Sequence, residues 1–151
     1  ELGPDILDAD GSLLRGELAR RMFADPDVRR RVESILHPAI TQRVREDFAR
    51  LAHPIVYEAP LLFEAGHDAL VDVVVVVTAP RRLRLQRAAL RDGADPAQVR
   101  ARMAAQWTDA QRIARAQAVI VNDGTLAQLW AAADACWDDL VSGAPLRERY
   151  G

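Results

Sequence analysis

The stretch Val71-Asp72-Val73-Val74-Val75-Val76-Val77-Thr78-Ala79-Pro80-Arg81-Arg82-Leu83-Arg84-Leu85-Gln86-Arg87-Ala88-Ala89-Leu90-Arg91-Asp92 decides the fold. Val73 to Val77 is an unbroken β-branched run, too short to cross a membrane and too continuously apolar for a strand with one wet face. It predicts a strand buried on both faces, as occurs mainly in parallel sheets covered by helices. Ligands in such sheets bind just past the carboxyl ends of the strands. Here that end is Thr78-Ala79-Pro80, and Pro80 opens a helix carrying Arg81, Arg82, Arg84, Arg87 and Arg91. A greasy strand that hands over to concentrated positive charge predicts a phosphate-handling junction. Arg84, Arg87 and Arg91 are spaced three and four apart and share a helical face, which in most helices is merely solvated. No Asp or Glu lies between Arg81 and Arg91, so the repulsion is expected to stay uncompensated until an anion arrives.

Outward from this stretch, Pro54-Ile55-Val56-Tyr57-Glu58 reads as a short buried strand ending in a carboxylate. Ala59 to Gly66 reads as an apolar loop or short helix. Ala118-Val119-Ile120-Val121 reads as a third short strand turning through Asn122-Asp123-Gly124. The last helix is expected to turn Leu126, Leu129, Trp130, Ala133, Trp137 and Leu140 inward, and Ser142 to Gly151 to fray. Asp95-Pro96-Ala97-Gln98 predicts a helix with an aspartate cap and a capping-box glutamine. On that helix Val99 and Met103 face inward, whereas Arg102 and Gln106 share another face suited to a ligand. A polar helical stretch follows from Thr108 to Gln117. Upstream, Asp10-Gly11 reads as a turn, and Leu14, Leu18 and Met22 recur at helical spacing with Phe23 beside them. Asp25-Pro26 restarts a helix with Val28, Val32, Ile35 and Leu36 on one face. His37-Pro38 is expected to interrupt it before Ile40, Val44, Phe48 and Leu51 form the next stripe. Strands alternating with helices give an α/β parallel sheet, and Ser12 to Ala52 forms a helical unit beside it.

At 151 residues and half apolar composition, the chain can bury a core as one domain with excursions. The formal charge of −2 argues against general nucleic-acid binding, so any anion site is local. A single cysteine, Cys136, excludes an internal disulfide framework and a cysteine-based zinc site. With no signal peptide or membrane span in view, a reducing cytoplasm is the expected compartment. Every one of the 20 basic residues is arginine, so these residues hold no Walker A lysine.

Several motifs stand in an order that resembles dephospho-coenzyme A kinase. They are Gly3-x-x-Ile6-Leu7, Asp10-Gly11, Arg15 with Leu18 and Phe23, His37-Pro38-x-Ile40, Glu58-x-Pro60-Leu61-Leu62-Phe63-Glu64, Arg87-x-x-x-Arg91-Asp92, Arg102-x-x-x-Gln106 and Asn122-x-Gly124. The likeness covers essentially the whole chain. It implies an α/β P-loop NTPase-like fold: a parallel sheet flanked by helices, a helical substrate domain and an arginine-rich lid. Residues 1–53 would form the CoA-side domain, 54–80 and 117–141 the core, 81–116 the lid with its adjoining helices, and 142–151 a tail. The implied activity is transfer of the γ-phosphate of ATP, with Mg2+, to the 3′-hydroxyl of dephospho-CoA. The family's glycine-rich loop and catalytic aspartate would precede Glu1, so the chain is expected to be a carboxyl-terminal portion, with its N-terminal strands missing, and inactive alone. Asp8-Ala9-Asp10 matches a later family segment. Leu14 departs from the acidic residue or asparagine common before the arginine matched by Arg15.

The resemblance implies Glu58, Arg87 and Arg91 as catalytic groups, with Glu58 also facing the metal through water. Arg15, His37, Leu62, Phe63 and Glu64 would contact dephospho-CoA, and Arg87, Arg91, Arg102, Asn122 and Gly124 the nucleotide. Several of these have a plainer reading. Glu58 caps a loop, His37 is an N-cap or a satisfied structural group, Leu62 and Phe63 are core, and Asn122-Asp123-Gly124 is an ordinary turn. Rival functions are another P-loop nucleotide or metabolite kinase and a non-catalytic module whose arginine face binds a phosphorylated partner or RNA. Oligomeric state is not legible in the chain.

Overall fold

The computed structural model describes residues 3–93 and 95–151, and the side chains of Pro4 and Phe23 lie outside the described residues. The chain divides into two compact units, residues 1–55 and residues 56–151.

The first unit is two helices, α1 (Arg15–Ala24) and α2 (Pro26–Arg50), preceded by a short 3-10 turn, Pro4–Ile6. Asp8 organises the turn before α1, its Oδ1 accepting from the backbone N–H of Asp10 and Ser12, while Gly11 takes a left-handed φ of 78°. Asp25 caps α2 as expected, accepting from the backbone N–H of Asp27 at 2.8 Å and of Val28 at 3.4 Å, with Pro26 at the first helical position. The expected break at His37-Pro38 does not occur, because α2 runs through Pro38. Proline in a helix interior costs about 3 kcal/mol in a lost hydrogen bond and a steric clash. Burial of Val32, with Val28, Val44 and Phe48 half-buried along the same helix, supplies an opposing term of that size, at about 1.5–3 kcal/mol per fully buried side chain. His37 is therefore mid-helix and half-buried, not an N-cap. Ile35, Leu36, Ile40 and Leu51, expected on the apolar faces, are exposed.

The second unit holds a parallel sheet of three strands in the order β1 (Val75–Thr78), β2 (Ala118–Val121) and β3 (Arg149–Tyr150). Its helices are α3 (Arg81–Asp92), α4 (Pro96–Ala104), α5 (Asp109–Ile113) and α6 (Leu126–Ser142), with a 3-10 turn at His67–Leu70. Val75 pairs with Ala118 and Thr78 with Val121, so β1 and β2 end level with each other. The Gln117 side chain secures this register, its Oε1 accepting from the Val74 N–H at 2.7 Å while its backbone N–H donates to the Val74 carbonyl. The core lies between β2 and α6, where Ala118, Ile120, Ala132, Cys136 and Tyr150 are buried and Leu129 and Leu140 pack against them.

Several expectations are corrected here. The valine strand begins at Val75 rather than Val73 and is not buried on both faces: Val77 is 60 % exposed. Val75, two residues earlier and on the same face, packs against the core beside α6, and among the described residues that cover stops short of Val77. Residues 54–58 form no strand, since no neighbour among the described residues offers a ladder. Ile55 and Tyr57 are half-buried between exposed Pro54, Val56 and Glu58, so only the alternation of a strand survives. The inward face of α6 is Leu129, Ala132, Cys136 and Leu140, whereas Leu126, Trp130, Ala133 and Trp137 are exposed. Residues 142–151 do not fray. Ser142 ends α6, the Tyr150 hydroxyl donates to Asp139 of α6 and accepts from the Arg147 N–H, both at 2.9 Å, and β3 pairs with β2 through the backbone. Asp95 caps α4 through the Ala97 N–H, while the capping boxes form at Thr108/Gln111 and Thr125/Gln128 rather than through Gln98.

Candidate functional site

The second unit contains a cleft of about 670 Å³. Val74 to Ala79, together with Tyr57, Glu58, Leu62 and Phe63, border it, and Arg84, Arg87, Arg91 and Arg112 are among its lining residues. Arg84, Arg87 and Arg91, which share a helical face, thus all border the cleft.

β1 and β2 position the far end of the cleft. The Asn122 N–H donates to the Thr78 carbonyl at 2.7 Å, so Asn122 sits where both strands finish. Arg87 reaches across from α3 and its Nη1 donates to both the backbone oxygen and Oδ1 of Asn122, each at 3.0 Å. Arg91 pairs with Asp92 at 2.7 Å, and Arg102 meets the other oxygen of Asp92 at 3.0 Å. Hydrogen bonds from Arg91 and then Arg102 hold the Asp92 carboxyl down at about 2. Arg84 pairs with Asp109 of α5, and its Nε is buried with no hydrogen-bond partner among the described residues. The arginine face is therefore not uncompensated, contrary to the expectation from the local sequence. Asp92 follows immediately, and Asp109 arrives from 25 residues away.

On the opposite side, Arg112 donates to Oε1 of Glu64 and of Gln106, both at 3.3 Å. The same Glu64 oxygen accepts from the Trp107 N–H at 2.8 Å. Burial pushes the Glu64 carboxyl up, but the Trp107 N–H, its own N–H and Arg112 outweigh that and leave it below the ordinary carboxylate range. Phe63 stacks on Trp107 with ring centroids 5.3 Å apart and planes 5° apart, and Arg115 lies 5.5 Å from the centroid of each ring. Behind Tyr57, buried His67 meets the phenol oxygen through Nδ1 at 2.9 Å.

A cleft that runs along β1 to its carboxyl end and has four arginines in its lining suits a polyphosphate ligand. The family model for Dephospho-CoA kinase matches residues 1–128. The chain belongs to the dephospho-CoA kinase family. A dephospho-CoA kinase of Anaeromyxobacter dehalogenans is 46 % identical over 93 % of this chain and 69 % of the relative. One of Syntrophotalea carbinolica is 45 % identical over 83 % of this chain and 62 % of the relative. The crystal structure of TT1252 from Thermus thermophilus superposes with a TM-score of 0.77 at 34 % identity, over 92 % of this chain and 73 % of that one. Dephospho-CoA kinase from Campylobacter jejuni, at 23 % identity and a TM-score of 0.67 over 91 % of this chain and 70 % of that one, shares the fold. The chain spans about two thirds of the length of these curated relatives.

Within the dephospho-CoA kinase fold, a P-loop-type parallel sheet flanked by helices, the structure brings Glu58, Leu62, Phe63, Arg87, Arg91 and Asn122 into one cleft. Arg102 is exposed and joined to Asp92, and neither Arg102 nor Glu64 belongs to the lining. Gly124 also stands outside the lining, beside the capping box of α6. A Cβ there would come within 2.3 Å of Gln128 Oε1, the atom that accepts from the Thr125 N–H in the capping box of α6. Arg15 opens α1 and is exposed, and His37 lies within α2, both in the first unit. Sequence reasoning missed Arg112, Gln106 as its acceptor, and Trp107. Thr108-x-x-Gln111 was the available signal: it starts α5 and places Arg112 in the helix's first turns.

Proposed function

We propose that this chain serves an ATP-dependent kinase that phosphorylates the 3′-hydroxyl of dephospho-CoA in the cytoplasm. The observation that carries the proposal is the convergence of four arginines and the exposed Glu58 on one cleft that runs along β1 to Asn122 at the end of β2. In the transfer, the 3′-oxygen forms a bond to the γ-phosphorus, the bond to the β–γ bridging oxygen breaks, ADP leaves, and the hydroxyl proton is released. Little covalent work falls to the protein, whose task is positioning and charge neutralisation. Arg87 and Arg91 lie on one face of α3 and engage the phosphoryl oxygens. Asn122 orients Arg87 and borders the nucleotide base together with the Gly124 turn, and Arg102 supports Arg91 through their shared Asp92. Leu62 and Phe63 wall the acceptor. The helical unit of residues 1–53 supplies Arg15 and His37 to the CoA side, and residues 81–116 act as the lid.

Mg2+ fits this lining. The lining offers one carboxylate, Glu58, and Mg2+ characteristically keeps several waters and uses one or two carboxylates together with substrate phosphates. Glu58 would hold the ion through water, and the ion when bound neutralises charge on the β- and γ-phosphates. The 151 residues contain no lysine to cradle those phosphates, so the chain by itself is expected to form no CoA.

The test uses the complete reading frame that contains this sequence, purified and assayed for ADP release. Dephospho-CoA is expected to support turnover, and Glu58→Gln to lower kcat while leaving the melting temperature unchanged. Turnover with nucleoside monophosphates and none with dephospho-CoA overturns the substrate assignment. An unaltered rate for Glu58→Gln across Mg2+ concentrations reduces Glu58 to a loop cap.

A further inference from the structure

We infer that Glu64 is a positioning residue: it latches the α4–α5 junction onto the Phe63 wall and thereby sets where the Arg112 guanidinium stands in the cleft. The inference rests on the kinase reading of the same cleft. One carboxylate oxygen carries both contacts, to the Trp107 N–H at 2.8 Å and to Arg112 at 3.3 Å. The partners lie 43 and 48 residues away in sequence, so the bonds join separate segments rather than finish a local turn. The second oxygen of Glu64 is buried without a partner among the described residues, and Glu64 is absent from the cleft lining. The side chain that does reach the cleft is Arg112.

The surrounding contacts make the latch stiff. The Trp107 ring stacks on Phe63 beside the bonded amide, and the side chains of Arg112 and Glu64 are only 18 % and 21 % exposed. A guanidinium at that depth needs its carboxylate, because removing one partner strands the other charge and frees a backbone donor. The junction also carries Gln106, the second acceptor of Arg112, while Val99 and Met103 of α4 line the same cleft. Displacing the junction therefore shifts groups on both sides of the nucleotide space, and misplacement by about 1 Å can cost on the order of a hundredfold in rate.

A residue that touches dephospho-CoA and one that aims Arg112 are distinguishable. Glu64→Gln keeps an oxygen for the Trp107 N–H and removes the charge that holds Arg112. In the complete protein it is expected to lower kcat/KM for ATP by roughly ten- to a hundredfold, with the KM for dephospho-CoA changed less than about twofold. Introduced into an Arg112→Gln background, the same change is expected to add almost nothing, the coupling of residues that act through one bond. ATP binding by calorimetry, without any acceptor, is expected to weaken in parallel, so the latch is tested even if another acceptor proves to be the substrate. A rise confined to the dephospho-CoA KM overturns the inference, as do fully additive losses in the double variant or a lowered melting temperature with unchanged ATP affinity.

Discussion

Helices α3 and α6 both follow a strand of the same parallel sheet, yet they are held in opposite ways. Both end on a left-handed glycine, Gly93 at φ 57° and Gly143 at φ 72°, but in α6 Thr125 and Gln128 close a capping box at the start and Ala132 and Cys136 lie buried against the sheet. α3 has no side-chain cap and no buried residue. Its arginines are placed by Asp109, Asn122 and Asp92, two of which come from other elements. Leu83, Leu85, Ala88 and Ala89 of α3 are only half-buried, so distant polar partners set where its arginines point. The helix behind the sheet does the reverse and spends its sequence on caps and small apolar residues.

The sharpest way to break this contrast is to alter α3 without touching its fold. Arg87→Lys and Arg91→Lys, in the complete protein at saturating ATP and dephospho-CoA, are expected to lower kcat severely. Loss of an arginine finger elsewhere costs on the order of 10³–10⁵, and an ammonium recovers only part of what a fork engaging two oxygens supplies. Arg81→Lys, in the exposed first turn and outside the cleft lining, is the control and is expected to stay near the native rate. Equal turnover for all three would make the arginine face solvated decoration.

A smaller effect probes α6. Thr125→Ala removes the capping oxygen that accepts from the Gln128 N–H at 3.3 Å and is expected to destabilise by about 1 kcal/mol, measured by urea unfolding, with kcat unchanged. A comparable loss of turnover at constant stability would show that α6 is no passive backing.

The smallest effect lies in the acid limb of stability. The Asp92 carboxyl sits at about 2, below its ordinary 3.8, because Arg91 and Arg102 bind its charged form. A group depressed in the folded state contributes stability that is fully present above its unfolded pKa and is lost as pH falls through the folded one. The stability difference between the native protein and Asp92→Asn is thus expected to be constant near neutrality and to shrink between about pH 4 and 2. A difference that stays flat to pH 2 would mean that Asp92 is not paired in solution.

Much of this was legible before any coordinates. Ala118–Val121 is a strand over the residues its apolar run predicts, and Asp25-Pro26 and Asp95-Pro96 start helices because an aspartate oxygen and a proline suit the first turn wherever they occur. The three-and-four spacing of Arg84, Arg87 and Arg91 does put them together, since helical geometry depends on nothing but the chain. The order of motifs from Gly3 to Gly124 carried the family, which the relatives show. Local pattern failed where the deciding partner was remote. Residues 54–58 have the alternation of a strand but no ladder among the described residues, whereas Arg149 and Tyr150, unremarkable in sequence, become one because Tyr150 finds Asp139 and the edge of β2.

The sequence by itself determined the periodicities, caps and charges of this protein, all properties of a chain segment and its next few neighbours. Only the tertiary structure decided which charges are neutralised and which face the cleft. Asp109 reaches Arg84, Glu64 reaches Arg112 and Trp107, and Asn122 reaches Arg87 across separations of 25 to 48 residues. Ionic and hydrogen-bonding partners are chosen by distance in space, and no spacing rule along the chain encodes that distance.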